Sequence, residues 1–127
     1  KIPKISIKKN IKEASKKITK FKLGIAVIMD RNKVQGVLTD GDARRSIRYN
    51  FKDDGIKKHM NSNPVFVSEN FTASKALSIM NKLKITSLLV TSEKNFSSKK
   101  KYSDLKGIIH IHSLLNFGVK WVTEKED

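Results

Sequence analysis

The chain has 127 residues, 38% of them hydrophobic, no cysteine, and a formal net charge of +15 from 27 basic and 12 acidic side chains. That length holds one compact domain or two small repeats sharing a core, and the apolar content sets disorder aside. The composition excludes disulfides and thiol catalysis, fits a cytosolic protein, and contains no apolar run near the roughly 18–20 residues that span a bilayer.

The opening KIPKISIKKN lacks the continuous apolar stretch of a signal peptide, and its start at Lys1 is expected of a piece of a longer protein. Ile5-Ser6-Ile7 alternates as a strand does. Asn10 reads as a helix N-cap with Glu13 in the capping-box position, and Ile11, Ala14, Ile18 and Phe21 then fall on one helical face. Gly24 is expected to end that helix. IAVIMD (25–30) reads as a buried strand, Arg31-Asn32-Lys33 as a tight turn, VQGVLT (34–39) as the returning strand, and 42–48 as a short helix.

The same order returns after a joining stretch, YNFKDDGIKKHM. Val65-Phe66-Val67 is a strand, and Asn70 precedes a helix with Ala73, Ala76, Leu77, Met80 and Leu83 on its apolar face. TSLLVT (86–91) is a buried strand, LKGIIHI (105–111) the returning one, and HSLLNFG (112–118) a short helix closed by Gly118. Strand-helix-strand-strand-helix therefore occurs twice, which makes an internal repeat the main organising feature. Gly36 aligns with Gly107, Thr39 with His110 and Asp42 with Ser113. The second hairpin carries a long Ser/Lys-rich tip, 92–104, expected to be mobile. The expected boundaries are a first repeat at 1–48, a linker at 49–60, a second repeat at 61–119 and a tail at 120–127. The fold class is α/β (α+β), two β-α-β-β-α repeats packed pseudo-symmetrically, each too small at about 50 residues to hold an independent core easily.

Lysine supplies most of the positive excess, in runs such as Lys8-Lys9, Lys16-Lys17, Lys57-Lys58 and Lys99-Lys100-Lys101. Few aromatics interleave with them, so stacking platforms for single strands are missing and a nucleic-acid partner is not expected.

GVLTDGDARR (36–45) is the densest chemistry in the chain. As a catalytic acid pair, Asp40 and Asp42 lack a base that the sequence places beside them. As a calcium loop, the segment lacks the ligand spacing and closing Glu of an EF-hand. A tight Asp-Gly hairpin turn would need a strand after it, and none follows. Asp42 as a plain helix N-cap remains open. His110 and His112 share a strand face and, with His59, make three possible metal ligands, but no carboxylate or cysteine spacing accompanies them, so no metal site is expected.

The doubled unit, with Gly36-Val37-Leu38-Thr39 and then Asp42 at the last strand-helix junction, resembles a tandem pair of cystathionine-β-synthase (CBS) domains, the Bateman module, over about residues 3–119. GVLTDGDARR, HMNSNPVFVSENFTASKALSIMNKLKITSLLV and LKGIIHIHSLLNFGV together resemble the C-terminal module of arabinose-5-phosphate isomerases; some sugar nucleotidyltransferases carry a related TDGD-x-RR module. The resemblance implies a regulatory, non-catalytic module of a cytosolic isomerase of Kdo, lipopolysaccharide or capsule synthesis. Its N-terminal sugar-isomerase domain would be the partner in the same chain. A homodimer through the helices is also implied, with Leu114, Leu115 and Phe117 as candidate contacts. No cofactor is implied; the expected ligand is an adenine nucleotide or an end product such as CMP-Kdo. Asp42 would accept from the ribose diol. Thr39 and the helix N-terminal amides would face phosphate, with Arg44 and Arg45 as further donors. Gly41 would permit a sharp turn beside the ligand, and Gly24, Ile25 and Ala26 would line the base. His110 and Ser113 replace Thr and Asp in the second cleft, leaving it empty or suited to a different part of a ligand. The competing expectation is a structural dimerisation module without ligand.

Overall fold

In the computed structural model, which describes residues 2–114, the elements follow the repeated order. β1 (Lys4–Ser6), α1 (Ile11–Phe21), β2 (Ile25–Asp30), β3 (Lys33–Thr39) and α2 (Asp40–Arg48) make the first repeat. β4 (Phe66–Ser68), α3 (Ala73–Leu83), β5 (Ser87–Thr91) and β6 (Leu105–His110) make the second, followed by a helical turn over 111–114. Each repeat has one three-stranded sheet, its first strand parallel and its third antiparallel to the middle strand. The fold class is mixed α/β, as expected, and the chain divides into two compact units between Pro64 and Val65. Leu115, Phe117, Gly118 and the tail 120–127 lie outside the described residues.

The first unit begins its helix as the capping pattern requires. Asn10 Oδ1 accepts from the Glu13 amide at 2.9 Å, and the Glu13 carboxylate accepts from the Asn10 amide at 3.1 Å. Ile11, Ala14 and Ile18 are buried and pack with Ile5, Ala26, Ile28, Leu38 and Ala43. The helix ends on Lys22 in the left-handed region (φ 58°), not on Gly24, which follows two residues later with φ 73°. The stretch 49–60 folds onto this unit. Ile56 is fully buried in its core. The carbonyls of Asp54 and Lys52 accept from the first free amides of α1, Ile11 and Lys12, at 3.1 and 2.9 Å. Asn61 continues the contact as a β-bridge to Val37, with bonds of 3.0 and 2.8 Å. This approach is why residue 36 is glycine: a Cβ there would stand 2.4 Å from the Asn61 carbonyl oxygen.

In the second unit the cap of α3 is Thr72, two residues after Asn70. Thr72 is extended (φ −102°, ψ 152°), and its hydroxyl accepts from the Lys75 amide at 3.1 Å. Asn70 instead donates its side-chain amide to Glu93 at 3.3 Å. The helix closes on Lys84, left-handed like Lys22 (φ 56°). Val67, Ala76, Met80, Leu88, Val90, Ile109 and Leu114 form the core. Leu83, expected on the apolar face, is 49% exposed because α3 is in its last turn there. Leu114, expected at a dimer contact, is 3% exposed and belongs to its own unit's core.

The tip 92–104, expected to be mobile, is tied at its base to a carboxylate. Asp104 Oδ2 accepts from the Thr91 hydroxyl at 3.2 Å, the Ser92 amide at 3.0 Å, the Asn95 side-chain amide at 3.0 Å and the Ser92 hydroxyl. The side-chain bonds from Ser92 and Asn95 and the Ser92 amide hold its pKa well below the ordinary carboxylate range.

Two outcomes follow from this packing. Gly36→Ala is expected to destabilise the fold by about 1–3 kcal/mol through overpacking, whereas Gly107→Ala, whose Cβ meets nothing within 4 Å, leaves it near wild type; urea unfolding of both variants checks the contrast. Asp104 has its pKa depressed in the folded chain, so its contribution is present above the unfolded value near 4 and is lost as pH falls towards the folded value. The Ser92 amide resonance should therefore titrate below the chain's other carboxylates, and Asp104→Asn should speed tryptic cleavage at Lys94 and Lys99 at neutral pH. A Ser92 midpoint near 4, with unchanged cleavage, would show that the carboxylate does not hold the tip.

Candidate functional site

The junction of β3 and α2 is a complete capping box. Thr39 is extended (φ −90°, ψ 161°), its hydroxyl accepts from the Asp42 amide at 3.1 Å, and Asp42 Oδ2 accepts from the Thr39 amide at 3.2 Å. Thr39 is thus the N-cap and Asp42 the third helical residue, and α2 starts at Asp40, two residues before the expected start. Gly41 lies inside this first turn rather than at a sharp bend; the positive-φ glycine among the described residues is Gly24. A Cβ at residue 41 would come 3.4 Å from the Arg45 guanidinium and 3.8 Å from the Thr39 hydroxyl, so the position bears on open space around those two groups.

Both acidic side chains of the segment face arginine. Arg44 pairs with Asp40 at 2.9 Å and Arg45 with Asp42 Oδ1 at 2.6 Å. The first pair sets an arginine, not a base, against Asp40. The second brings together two of the expected site residues directly. Gly24 also meets the junction, since its carbonyl accepts from the Asp40 amide at 2.8 Å and Ile25 pairs with Thr39 across the sheet. Ile25 and Ala26 are themselves buried, Ala26 in the core of the unit.

Beside Asp42 runs a groove of about 360 Å³ along one face of α2. Arg45, Ser46 and Tyr49 line it from the helix, and Phe51, Lys58 and His59 from the stretch that follows. His59 Nε2 lies 3.0 Å from the Asp54 carboxylate, and its ring is 5.5 Å from that of Phe51. The expected boundaries place this stretch in the linker; Tyr49 and Phe51 are not among the expected site residues, Lys58 enters only as part of a lysine run, and His59 only as a possible metal ligand. The signal was there: two aromatics, 49 and 51, directly after a helix that carries Asp42 and Arg45. The groove joins a carboxylate acceptor, aromatic faces and cationic donors, a combination suited to a diol, a planar base and an anionic group.

The second junction is built differently. His110 Nδ1 accepts from the His112 amide at 3.2 Å, and the two rings stack at 5.0 Å. Burial first, and the neighbouring His112 second, lower the pKa of His110, favouring the neutral ring that this acceptor role needs. Ser113, exposed, stands where the first repeat has Asp42, so this junction offers no carboxylate. No group of three or more His, Asp or Glu among the described residues is arranged to hold a metal ion, and none of their helices is long and apolar enough to cross a membrane.

Comparison with known proteins gives these features a family. The CBS domain model matches residues 1–49 and again 56–120. Arabinose 5-phosphate isomerase KdsD of Salmonella typhi is 32% identical over 121 residues, covering 93% of this chain and 34% of that protein. The chain thus spans about a third of the length of the curated relatives it matches. Among solved structures, the CBS domain NE2398 superposes with a TM-score of 0.79 at 19% identity, covering 94% of this chain and 88% of that one. The CBS domain protein PAE2072 from Pyrobaculum aerophilum, complexed with AMP, superposes at 0.75 and 18% identity, covering 91% and 89%. With two matched segments, one per structural unit, the chain belongs to the CBS-domain family as a tandem pair.

Proposed function

We propose that this CBS pair is the ligand-sensing module of a larger cytosolic arabinose-5-phosphate isomerase of Kdo, lipopolysaccharide or capsule synthesis, and that it binds an adenine nucleotide through the first repeat. One observation carries the reading. The Asp42 carboxylate, 28% exposed, is held by the capping box at the mouth of a groove that also presents Arg45, Lys58, Tyr49 and Phe51. A ribose diol has two donors for that carboxylate, the aromatic pair offers faces to a base, and the cations answer phosphate. The AMP complex of PAE2072 and the likeness to KdsD support the ligand class and the parent enzyme. The pair itself performs no chemistry; ligand occupancy is read by the neighbouring sugar-isomerase domain. CMP-Kdo, which also carries a ribose and a phosphate, is the end-product form of the same idea. A two-fold homodimer through the helices completes the proposal.

A structural module without ligand has one observation in its favour. Arg45 already satisfies the charge of Asp42 at 2.6 Å, so the junction is electrostatically complete as it stands. Calorimetric titration separates the two. AMP, ATP, CMP and CMP-Kdo are titrated against wild type, Asp42→Asn and Ser113→Ala. Asp42→Asn keeps an acceptor for the Thr39 amide but loses the charge, and should weaken the binding nucleotide by about 1.5–3 kcal/mol. Ser113→Ala should leave affinity unchanged. Thr39→Val, by removing the cap, should act mainly on stability, by about 0.5–2 kcal/mol. No heat with any of the four compounds would favour the structural module.

A further inference from the structure

The second unit carries another groove, at the opposite end of its sheet from His110. Thr91 of β5 pairs with Leu105 there, whereas His110 pairs with Ser87 at the other end, about 17 Å away along β6. This groove encloses about 240 Å³. Its walls are apolar: Val67, Phe71, Ile79 and Phe96. Phe96 comes from the 92–104 tip and is 40% exposed, an aromatic ring kept at the surface. It is held there by the Asp104 cluster, because Asp104 fixes Ser92 and Asn95, and the Phe96 amide donates to the Glu93 carbonyl at 3.4 Å.

Two opposite charges, both on exposed side chains, line the same groove without pairing with each other. Lys75, in the first turn of α3, makes no ion pair among the described residues. Glu93 makes none either; its Oε2 accepts from the Ser68 hydroxyl and the Asn70 side-chain amide, and its Oε1 accepts from none of the described residues. The corresponding groove of the first unit is lined by Lys4, Ile5, Ser6, Met29, Arg31 and Asn32, with neither a carboxylate nor an aromatic ring. The device therefore belongs to the second repeat, and the long tip supplies half of it.

We propose that this groove binds a small zwitterion with an apolar side chain, an apolar α-amino acid. The ligand carboxylate pairs with Lys75, its ammonium donates to Glu93, and its side chain lies against Phe71, Ile79 and Phe96. An anion alone would meet the Glu93 charge and a cation alone would meet Lys75; a ligand carrying both charges answers both. The inference stands apart from the nucleotide reading of the first repeat.

The test is a titration of the full ¹⁵N-labelled chain, followed by amide chemical shifts. L-leucine, L-methionine and L-phenylalanine are compared with 4-methylpentanoate, which lacks the ammonium, and 3-methylbutylamine, which lacks the carboxylate. Saturable shifts are expected at Ser68, Phe71, Lys75, Glu93 and Phe96, with residues 39–49 unmoved. Each one-charge analogue should bind several-fold more weakly, and Lys75→Gln and Glu93→Gln should each cost about two- to fivefold, the size of an exposed ion pair. Phe96→Ala, at an exposed position that does not threaten the fold, should also weaken binding. The proposal is overturned by the absence of saturation with all three amino acids. It is equally overturned if 4-methylpentanoate binds as well as L-leucine, or if affinity survives both charge-removing variants.

Discussion

Everything at the candidate site depends on one backbone constraint. The last strand of each repeat must become a helix while its end stays bonded to the middle strand. In the first unit the Asp40 amide donates to the Gly24 carbonyl; in the second the Ile111 amide donates to the Thr86 carbonyl, both at 2.8 Å. These bonds hold the first helical turn against the start of β2 or β5, so its free amides and the side chains that cap them stand at a fixed place on the sheet edge. In the first unit Thr39 and Asp42 fill those roles, and Asp42, which helps fold the turn, also lines the groove. The site is therefore a by-product of satisfying a helix terminus, and its geometry is as rigid as the sheet beneath it.

The repeat was legible because hydrophobic period and caps agree along most of the chain. Ile11, Ala14 and Ile18 are buried as their spacing requires, and the Asn10–Glu13 box forms between the two residues expected to form it. What escaped the sequence was long-range. The stretch 49–60 looks like a polar connector, yet Ile56 completes the first core and the carbonyls of Lys52 and Asp54 cover the start of α1. Asp104 lies 12 residues from its partner Ser92, and no local pattern links them. The lysine C-caps were invisible for a different reason. A left-handed lysine costs roughly 1–2 kcal/mol, so glycine is the residue a reader looks for, and the nearby Gly24 drew the assignment.

The two junctions show how a repeat diverges without losing its fold. Thr39 caps with a hydroxyl and His110 with a ring nitrogen, each accepting a backbone amide of the first turn. Threonine reaches the third helical residue and leaves a carboxylate standing beside it. Histidine reaches an amide two residues on, and its acceptor role requires an unprotonated Nδ1. The turn is thus preserved by two chemistries, only one of which keeps a permanent charge at the sheet edge. A ligand that needs an ionised acceptor is served by the first repeat alone, which makes any nucleotide response of the pair asymmetric.

That asymmetry sharpens what Asp42 and Arg45 do together. Capping occupies one carboxylate oxygen, Oδ2, and Arg45 occupies the other. The Arg45 side chain is largely exposed, and exposed pairs of this kind are worth about 0–1 kcal/mol. On the proposed reading, a diol entering the groove competes with the exposed guanidinium rather than with the Thr39 amide, because the amide bond is part of the helix start and the guanidinium bond is not. On that reading, a guanidinium released from Asp42 would serve as a donor to the ligand phosphate. The Arg45 charge is then part of the proposed Asp42 site: its pair with the carboxylate at 2.6 Å is the contact that a phosphate-bearing ligand would draw on.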